Sequence, residues 1–215
     1  IKRITAAVSA LSENKVKLNC KVCQLVKLYK NGQPFKMSKR AGEFISAKDL
    51  LKEVNKDLIR FMMLNRSNDV ELDFDFDKVK EKTKDNPVFY VQYAFARINS
   101  LHRSLDIDLN SKIILNEKTF KLNSNEEKII RKIFEWPKII ESASKKFEIH
   151  KIPFYLYDLA TLFHSYWSKG NEDKKYKFIE GEKIKRVEIL AILNLITIVI
   201  QNGMKILGVS LPKKM

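Results

Sequence analysis

The chain has 215 residues, 45% of them hydrophobic and 31% charged, with 41 basic against 26 acidic side chains and a formal net charge of +15. That length holds one large or two small domains with a proper core, and no signal-peptide pattern is read. The most apolar run, residues 189–200, is broken by Asn194 and flanked by Glu188 and Gln201; it falls well short of the ~20 residues that span a bilayer and predicts a buried helix. The excess charge points to an acidic partner, although 33 of the 41 basic residues are Lys, which coding bias alone can produce. Its distribution is more telling. Residues 1–40 carry ten basic side chains against one acidic, residues 41–85 nine against eleven, and residues 86–215 22 against 14. Two basic lobes around an acidic hinge suit a bent polyanion gripped at two places, and a uniformly solvated surface is the other reading of the charge.

In chain order, Cys20 and Cys23 come first. A C-x-x-C pair supplies half a zinc site, but the chain has no other cysteine, and His102, His150 and His164 lack paired spacing. Val16, Leu18, Cys20, Val22, Val26 and Leu28 share one parity, so a strand over residues 22–29 is expected where a redox motif would need a helix. Both thiols are therefore expected to be reduced, buried strand cysteines without a metal. Val26-Lys27-Leu28-Tyr29 alternates like a strand, Asn31-Gly32 suits a tight primed turn, and Gln33-Pro34-Phe35 starts the return. Lys36-Met37-Ser38-Lys39-Arg40 follows, then Ala41-Gly42 and the capping box Ser46-Ala47-Lys48-Asp49, which opens a helix. Two lysines and an arginine on a glycine-ended loop can close over a polyphosphate; a solvated basic turn is the plain alternative.

The acidic stretch Asp69-Val70-Glu71-Leu72-Asp73-Phe74-Asp75-Phe76-Asp77 has the D-x-D-x-D spacing of a cation loop but lacks its glycine. Its alternation puts Val70, Leu72, Phe74 and Phe76 on one face and the carboxylates in water, with Asp75 or Asp77 free to cap the next helix. From about residue 86 the pattern is helical. Val88, Val91, Phe95, Ile98, Leu101 and Leu105 form one buried stripe. Ser124-Asn125-Glu126-Glu127 reads as a cap, Pro137 and Pro153 suit first-turn positions, and Gly170 suits a helix end. A last helix is expected from Lys183 to about Leu207, stopped by Gly208. Residues 106–123 and 170–182 are expected as loops. Tyr93 and Arg97 lie one turn apart and off the stripe. A ring beside a guanidinium can stack a splayed base and meet a phosphate, unless Tyr93 packs and Arg97 pairs with an acid. Gln92 and Asn86 are further candidates on the same helix.

The basic pentad in its hairpin setting resembles the second signature loop of class I aminoacyl-tRNA synthetases, and the wider pattern is similar to arginyl-tRNA synthetase. That similarity rests on Leu25-Val26-Lys27-Leu28, Lys56-Asp57-Leu58-Ile59-Arg60-Phe61, Asp85-Asn86-Pro87-Val88-Phe89-Tyr90-Val91-Gln92-Tyr93-Ala94 with Ala96-Arg97, and Leu207-Gly208-Val209-Ser210-Leu211-Pro212-Lys213-Lys214-Met215, all in family order. Glu43, Asn55 and Phe95 depart from it, standing where the family usually has Asn, Gly and His.

The resemblance implies a mainly α fold, a C-terminal helical bundle of the anticodon-binding type preceded by the end of a Rossmann-like α/β catalytic domain with a β-hairpin. Residues 1–47 would end the class I catalytic domain, residues 48–85 form a helical connector with the acidic segment, and residues 86–215 form the all-helical anticodon-binding domain. The implied activity is arginine–tRNA ligation through an ATP-dependent arginyl-adenylate. Lys39 would bring positive charge to the phosphates in the transition state, with Lys36 and Arg40 binding phosphates or setting the loop. Ser38 would add a hydrogen bond and Met37 a flexible apolar anchor. Magnesium would come with ATP, held mostly by its phosphates. Trp167 and Met215 match positions that contact the anticodon loop in some family members, joining Tyr93, Arg97, Gln92 and Asn86. The implied partners are tRNA(Arg), ATP and arginine, for a cytoplasmic monomer with no membrane partner. The other class I signature, a His-x-Gly-His type motif, is not in the chain, which begins at Ile1. The N-terminal half of the active site is therefore expected elsewhere, and this portion alone is expected to be inactive. The alternatives are a non-catalytic tRNA-binding module or synthetase paralogue, and a basic helical domain that binds RNA nonspecifically.

Overall fold

Asn31 and Gly32 both take positive φ, 53° and 70°, which lets a two-residue turn follow the twist of the strands it joins. The turn links β1 (Val26–Lys30) to β2 (Gln33–Pro34) in the computed structural model, which describes residues 1–35, 45–107, 113–116 and 120–215. The pentad Lys36-Met37-Ser38-Lys39-Arg40 and Glu43 lie outside the described residues. On its other edge β1 pairs in parallel with β3 (Leu72–Asp75), Val26 opposite Leu72 and Tyr29 opposite Asp75. Leu72, Phe74 and Phe76 are buried as the alternation requires, whereas Val70 precedes the paired register and is exposed. The carboxylates serve the backbone. Asp75 accepts the amides of Asp77 and Lys78 at 2.9 and 3.2 Å, and Asp77 accepts the Asn31 amide at 2.8 Å.

The segment ahead of the hairpin corrects one expectation. Strand structure begins at Val26, not Val22, and both cysteines are exposed. Parity buries a strand only where a neighbour covers it, and β3 reaches no further than the residue opposite Val26. α1 (Lys2–Leu11) carries no buried residue at all.

Two short helices follow. α2 (Ala47–Glu53) starts on the expected box, with Ser46 Oγ accepting the Asp49 amide at 3.2 Å. α3 (Lys56–Leu64) is capped by Asn55, whose Oδ1 accepts the Asp57 amide at 2.7 Å, so this departure from the family pattern makes a working N-cap.

The remaining core is a bundle of α4 (Pro87–Ser104), α5 (Ser124–Phe134), α6 (Trp136–Lys146), α7 (Lys151–Glu172) and α8 (Val187–Leu207). α7 runs through its middle and packs against the other four. The α4 stripe is buried from Val88 to Leu101, with Leu105 half-buried. Phe95 is 3% exposed, so the aromatic at this departure serves the core. α8 is long and apolar enough to cross a membrane by length and composition. Its Ile189, Leu193, Ile196, Ile200 and Met204 are instead buried against α4, α5 and α7, as expected of a core helix.

Three helix ends differ from expectation. α5 is capped one residue earlier, by Asn123, whose side chain accepts the Asn125 and Glu126 amides while Glu126 accepts the Asn123 amide at 2.8 Å. Gly170 lies inside α7, two residues before its end, and its role is close packing: a Cβ there would meet the Tyr176 carbonyl oxygen at 3.1 Å. α8 starts at Val187, since Lys183–Ile184 (β5) pairs with Ile179–Glu180 (β4) in a small hairpin. Gly208, at φ 65°, ends α8 as expected, and Arg60 Nε donates to the Leu207 carbonyl at 2.8 Å beside it.

Candidate nucleic-acid interface

α4 and α7 lie side by side, so the pair Tyr93 and Arg97 (i, i+4) meets the pair His164 and Trp167 (i, i+3). The Arg97 guanidinium lies over the Tyr93 ring at 4.3 Å and over the Trp167 ring at 5.0 Å. Its Nη2 donates to Tyr93 Oη at 2.5 Å and its Nη1 reaches His164 Nδ1 at 3.3 Å. His164 Nε2 in turn donates to the Tyr90 carbonyl at 3.1 Å, which leaves Nδ1 bare to accept from Arg97. Burial holds the His164 pKa down at about 4; the Arg97 charge pushes the same way and the Tyr90 carbonyl opposes. The imidazole is therefore neutral at pH 7. The Tyr93 ring is stacked on it at 5.4 Å and 21°.

Among the described residues, the partners of Arg97 are two rings, a phenol oxygen and an imidazole, none of them a carboxylate. Of the two sequence readings for Arg97, pairing with an acid is not what is observed. Its positive charge is held in place by π faces and left for an outside anion. Tyr93 remains 42% exposed, so part of its side chain is open to solvent beside that charge.

The carboxy-terminal segment completes the wall. Gln92 Nε2 donates to the Ser210 carbonyl and Arg103 Nη1 to the Lys213 carbonyl, each at 2.9 Å, and Ser210 Oγ bonds the Asp57 carboxylate. These ties bring Met215 against Tyr93 and Arg97. On one side of that trio lies a groove of about 810 Å³, rimmed by Arg103, Trp167 and Lys214. On the other lies a recess of about 360 Å³, reached by Lys82, Lys84 and His164. Among the described residues, no Asp or Glu side chain lines either one. Aromatic faces between basic side chains, with no acidic side chain in the described lining, form an arrangement suited to single-stranded nucleic acid.

Four of the sequence candidates, Tyr93, Arg97, Trp167 and Met215, are thus brought together. Gln92 and Asn86 do not line the groove. Both are buried, Gln92 holding the tail and Asn86 donating to the Val79 and Glu81 carbonyls at 2.9 Å each. His164 and Arg103 also belong to this arrangement, and the sequence reading left them out. The signal available for His164 was its i, i+3 spacing to Trp167, whereas its contact with Arg97 spans 67 positions. Lys36, Met37, Ser38, Lys39 and Arg40 lie outside the described residues. Among those described, no group of three or more His, Cys, Asp or Glu side chains is arranged to hold a metal.

Residues 91–215 match the model of the DALR anticodon binding domain. The arginine–tRNA ligase of Pelagibacter ubique is 54% identical over 215 residues, which is the whole of this chain and 37% of the relative. That of Ruegeria pomeroyi is 46% identical over 220 residues, covering all of this chain and 38% of the relative. The chain therefore spans little more than a third of the length of these curated relatives. A solved Campylobacter jejuni structure named as an arginyl-tRNA synthetase superposes with a TM-score of 0.82 at 26% identity, over 99% of this chain and 44% of that one. The Thermus thermophilus arginyl-tRNA synthetase shares the fold, with a TM-score of 0.62 at 18% identity, over 90% of this chain and 35% of that one.

Proposed function

The chain belongs to the DALR anticodon-binding domain family in its arginyl-tRNA synthetase form, and from that premise we propose that it is the part of an arginine–tRNA ligase that grips the anticodon side of tRNA(Arg). The observation that carries this reading is the Tyr93–Arg97–Trp167 stack, a guanidinium fixed by π faces and lacking a carboxylate partner among the described residues. An unstacked base would lie on the exposed Tyr93 face, with its phosphate on Arg97 and the cations Lys82, Lys84, Arg103 and Lys214 following the backbone. Met215, held by the tail ties, would pack against the base edge.

The whole ligase would activate arginine with ATP and magnesium before transfer to the tRNA. In that reaction Lys39 meets the charge that develops on the phosphates, and Lys36, Met37, Ser38 and Arg40 shape the loop that delivers it. Residues 1–47 would belong to the catalytic domain, residues 48–85 connect, and residues 86–215 bind the RNA. We assign the ligase to the cytoplasm as a monomer.

Substituting Tyr93→Ala tests the site. Loss of one stacking face should weaken binding of tRNA(Arg) by about 5- to 150-fold, from the ~1–3 kcal/mol that a base–aromatic stack contributes. The circular dichroism spectrum should be unchanged, because Tyr93 is on the surface. Binding within twofold of the parent would remove Tyr93 from the site.

A further inference from the structure

Trp167 also borders a second hollow. There a recess of about 360 Å³ lies between the end of α7 and the β4–β5 hairpin, and it shares Leu101, Trp167 and Ile179 with the main groove. We propose that this recess is a second nucleobase subsite, taking the base next in sequence to the one held at Tyr93 and Arg97. The inference rests on the RNA-binding reading above and adds that two neighbouring bases are splayed into adjoining hollows that share Trp167 as a wall.

The recess is built into the fold. Gly170 lets its floor sit close against α7, since a Cβ there would stand 3.1 Å from the Tyr176 carbonyl oxygen and 3.2 Å from Lys177 Cα, forcing that floor away. Phe178 is buried and meets Trp167 edge-on, with ring centroids 5.3 Å apart and planes at 84°, so the indole is braced from behind. Gly181, at φ 61°, turns the β4–β5 hairpin that closes the far wall. The volume sits at the low end of the ~300–1,000 Å³ of small-molecule sites, which suits one flat heterocycle and not a duplex.

Its chemistry matches a base and its phosphate. Asn171 is exposed, and its carboxamide makes no hydrogen bond with the described residues, so one donor group and one acceptor are free for a base edge. Lys177 is an exposed cation on the rim, and no carboxylate lines the recess among the described residues. A lipid or an apolar peptide would leave Asn171 and Lys177 without partners. A single-stranded RNA already seated on the adjoining groove would satisfy both.

The test uses the 215-residue chain and a set of anticodon stem-loop RNAs of tRNA(Arg), each with one loop nucleotide made abasic. The parent chain should lose about 5- to 150-fold in affinity at two adjacent loop positions. In Asn171→Ala, a surface change that should leave the melting temperature unaltered, the penalty should shrink at one of those positions and persist at the other. A penalty at one position only, or an Asn171→Ala loss that is equal at every position, would overturn the second subsite while leaving RNA binding intact. A parent chain that binds the stem-loop no better than an unrelated hairpin would overturn the RNA-binding reading itself, and this inference with it.

Discussion

Replacing Arg97 separates two roles, because the guanidinium completes the packing around His164 and is the group proposed to meet the RNA. Arg97→Ala removes the cation from two rings and leaves His164 Nδ1 without its donor, in a residue only 6% exposed. A stranded buried acceptor costs about 1–3 kcal/mol and each cation–π contact about 0.5–1 kcal/mol, so the expected loss of stability is roughly 2–5 kcal/mol. For a chain of this size that lowers Tm by about 4–20 °C. Binding should fall as well. Loss of one phosphate contact reduces the slope of log affinity against log salt by about 0.7, and loss of the stack weakens binding by about 5- to 150-fold. Arg97→Lys keeps the charge but not the planar fork, so it should retain the salt slope and still lose affinity. Fluorescence anisotropy with labelled tRNA(Arg) across a salt series, beside a thermal melt, reads all of these. An Arg97→Ala chain with the parental salt slope, or an Arg97→Lys chain with parental affinity, would refute the assignment of Arg97 to a phosphate and a base.

Three further outcomes are expected. The folded pKa of His164 is about 4, below its ordinary 6.5, so the unfolded chain takes up the proton first; stability from this group is complete above about pH 6.5 and is lost as pH falls toward 4, by about 3 kcal/mol. Urea melts at pH 7 and pH 4.5 should show that loss in the parent and a smaller one in His164→Gln, and equal losses would contradict the cause given. Arg186→Met strands the fully buried Glu126, which then keeps only the Tyr166 hydroxyl at 2.6 Å and the Asn123 amide at 2.8 Å. It should cost about 3–5 kcal/mol in a denaturant melt, and adding Glu126→Gln to it should recover part of that loss; simple additivity would argue against the pairing. Gln92→Leu removes the tie to the Ser210 carbonyl and should weaken tRNA binding by about 2- to 12-fold with the salt slope unchanged, from the ~0.5–1.5 kcal/mol of a neutral hydrogen bond. A changed slope would mean that Gln92 does more than hold the tail.

The features legible in the sequence were those set by near neighbours. Asn31-Gly32 specified the hairpin, Ser46 with Asp49 specified a cap, Gly208 ended α8, and the α4 stripe placed Tyr93 and Arg97 off the core. Features that depend on distant partners were not legible. Cys20 and Cys23 have strand parity but no strand beside them, so they are exposed. Gly170 looked like a helix end because the close approach of Tyr176 and Lys177 is a tertiary contact. Residues 183–184 carry no mark that they pair across Gly181 instead of extending α8. In the site itself, Arg97 and Tyr93 were readable as a pair one turn apart. The neutral His164 that orients them was not, nor were the ties from Gln92 and Arg103 that carry Met215 into place.

The central claim is that the α4–α7 groove reads the anticodon side of tRNA(Arg), and the most direct measurement compares three RNAs at near-physiological salt. They are tRNA(Arg), the same tRNA with its anticodon exchanged, and an unrelated tRNA, each titrated with the 215-residue chain. The account predicts tight binding of the first and a marked loss on the exchange, with the unrelated tRNA no better than the exchanged one. Equal affinity for all three would contradict it, leaving these helices as a source of positive charge without discrimination.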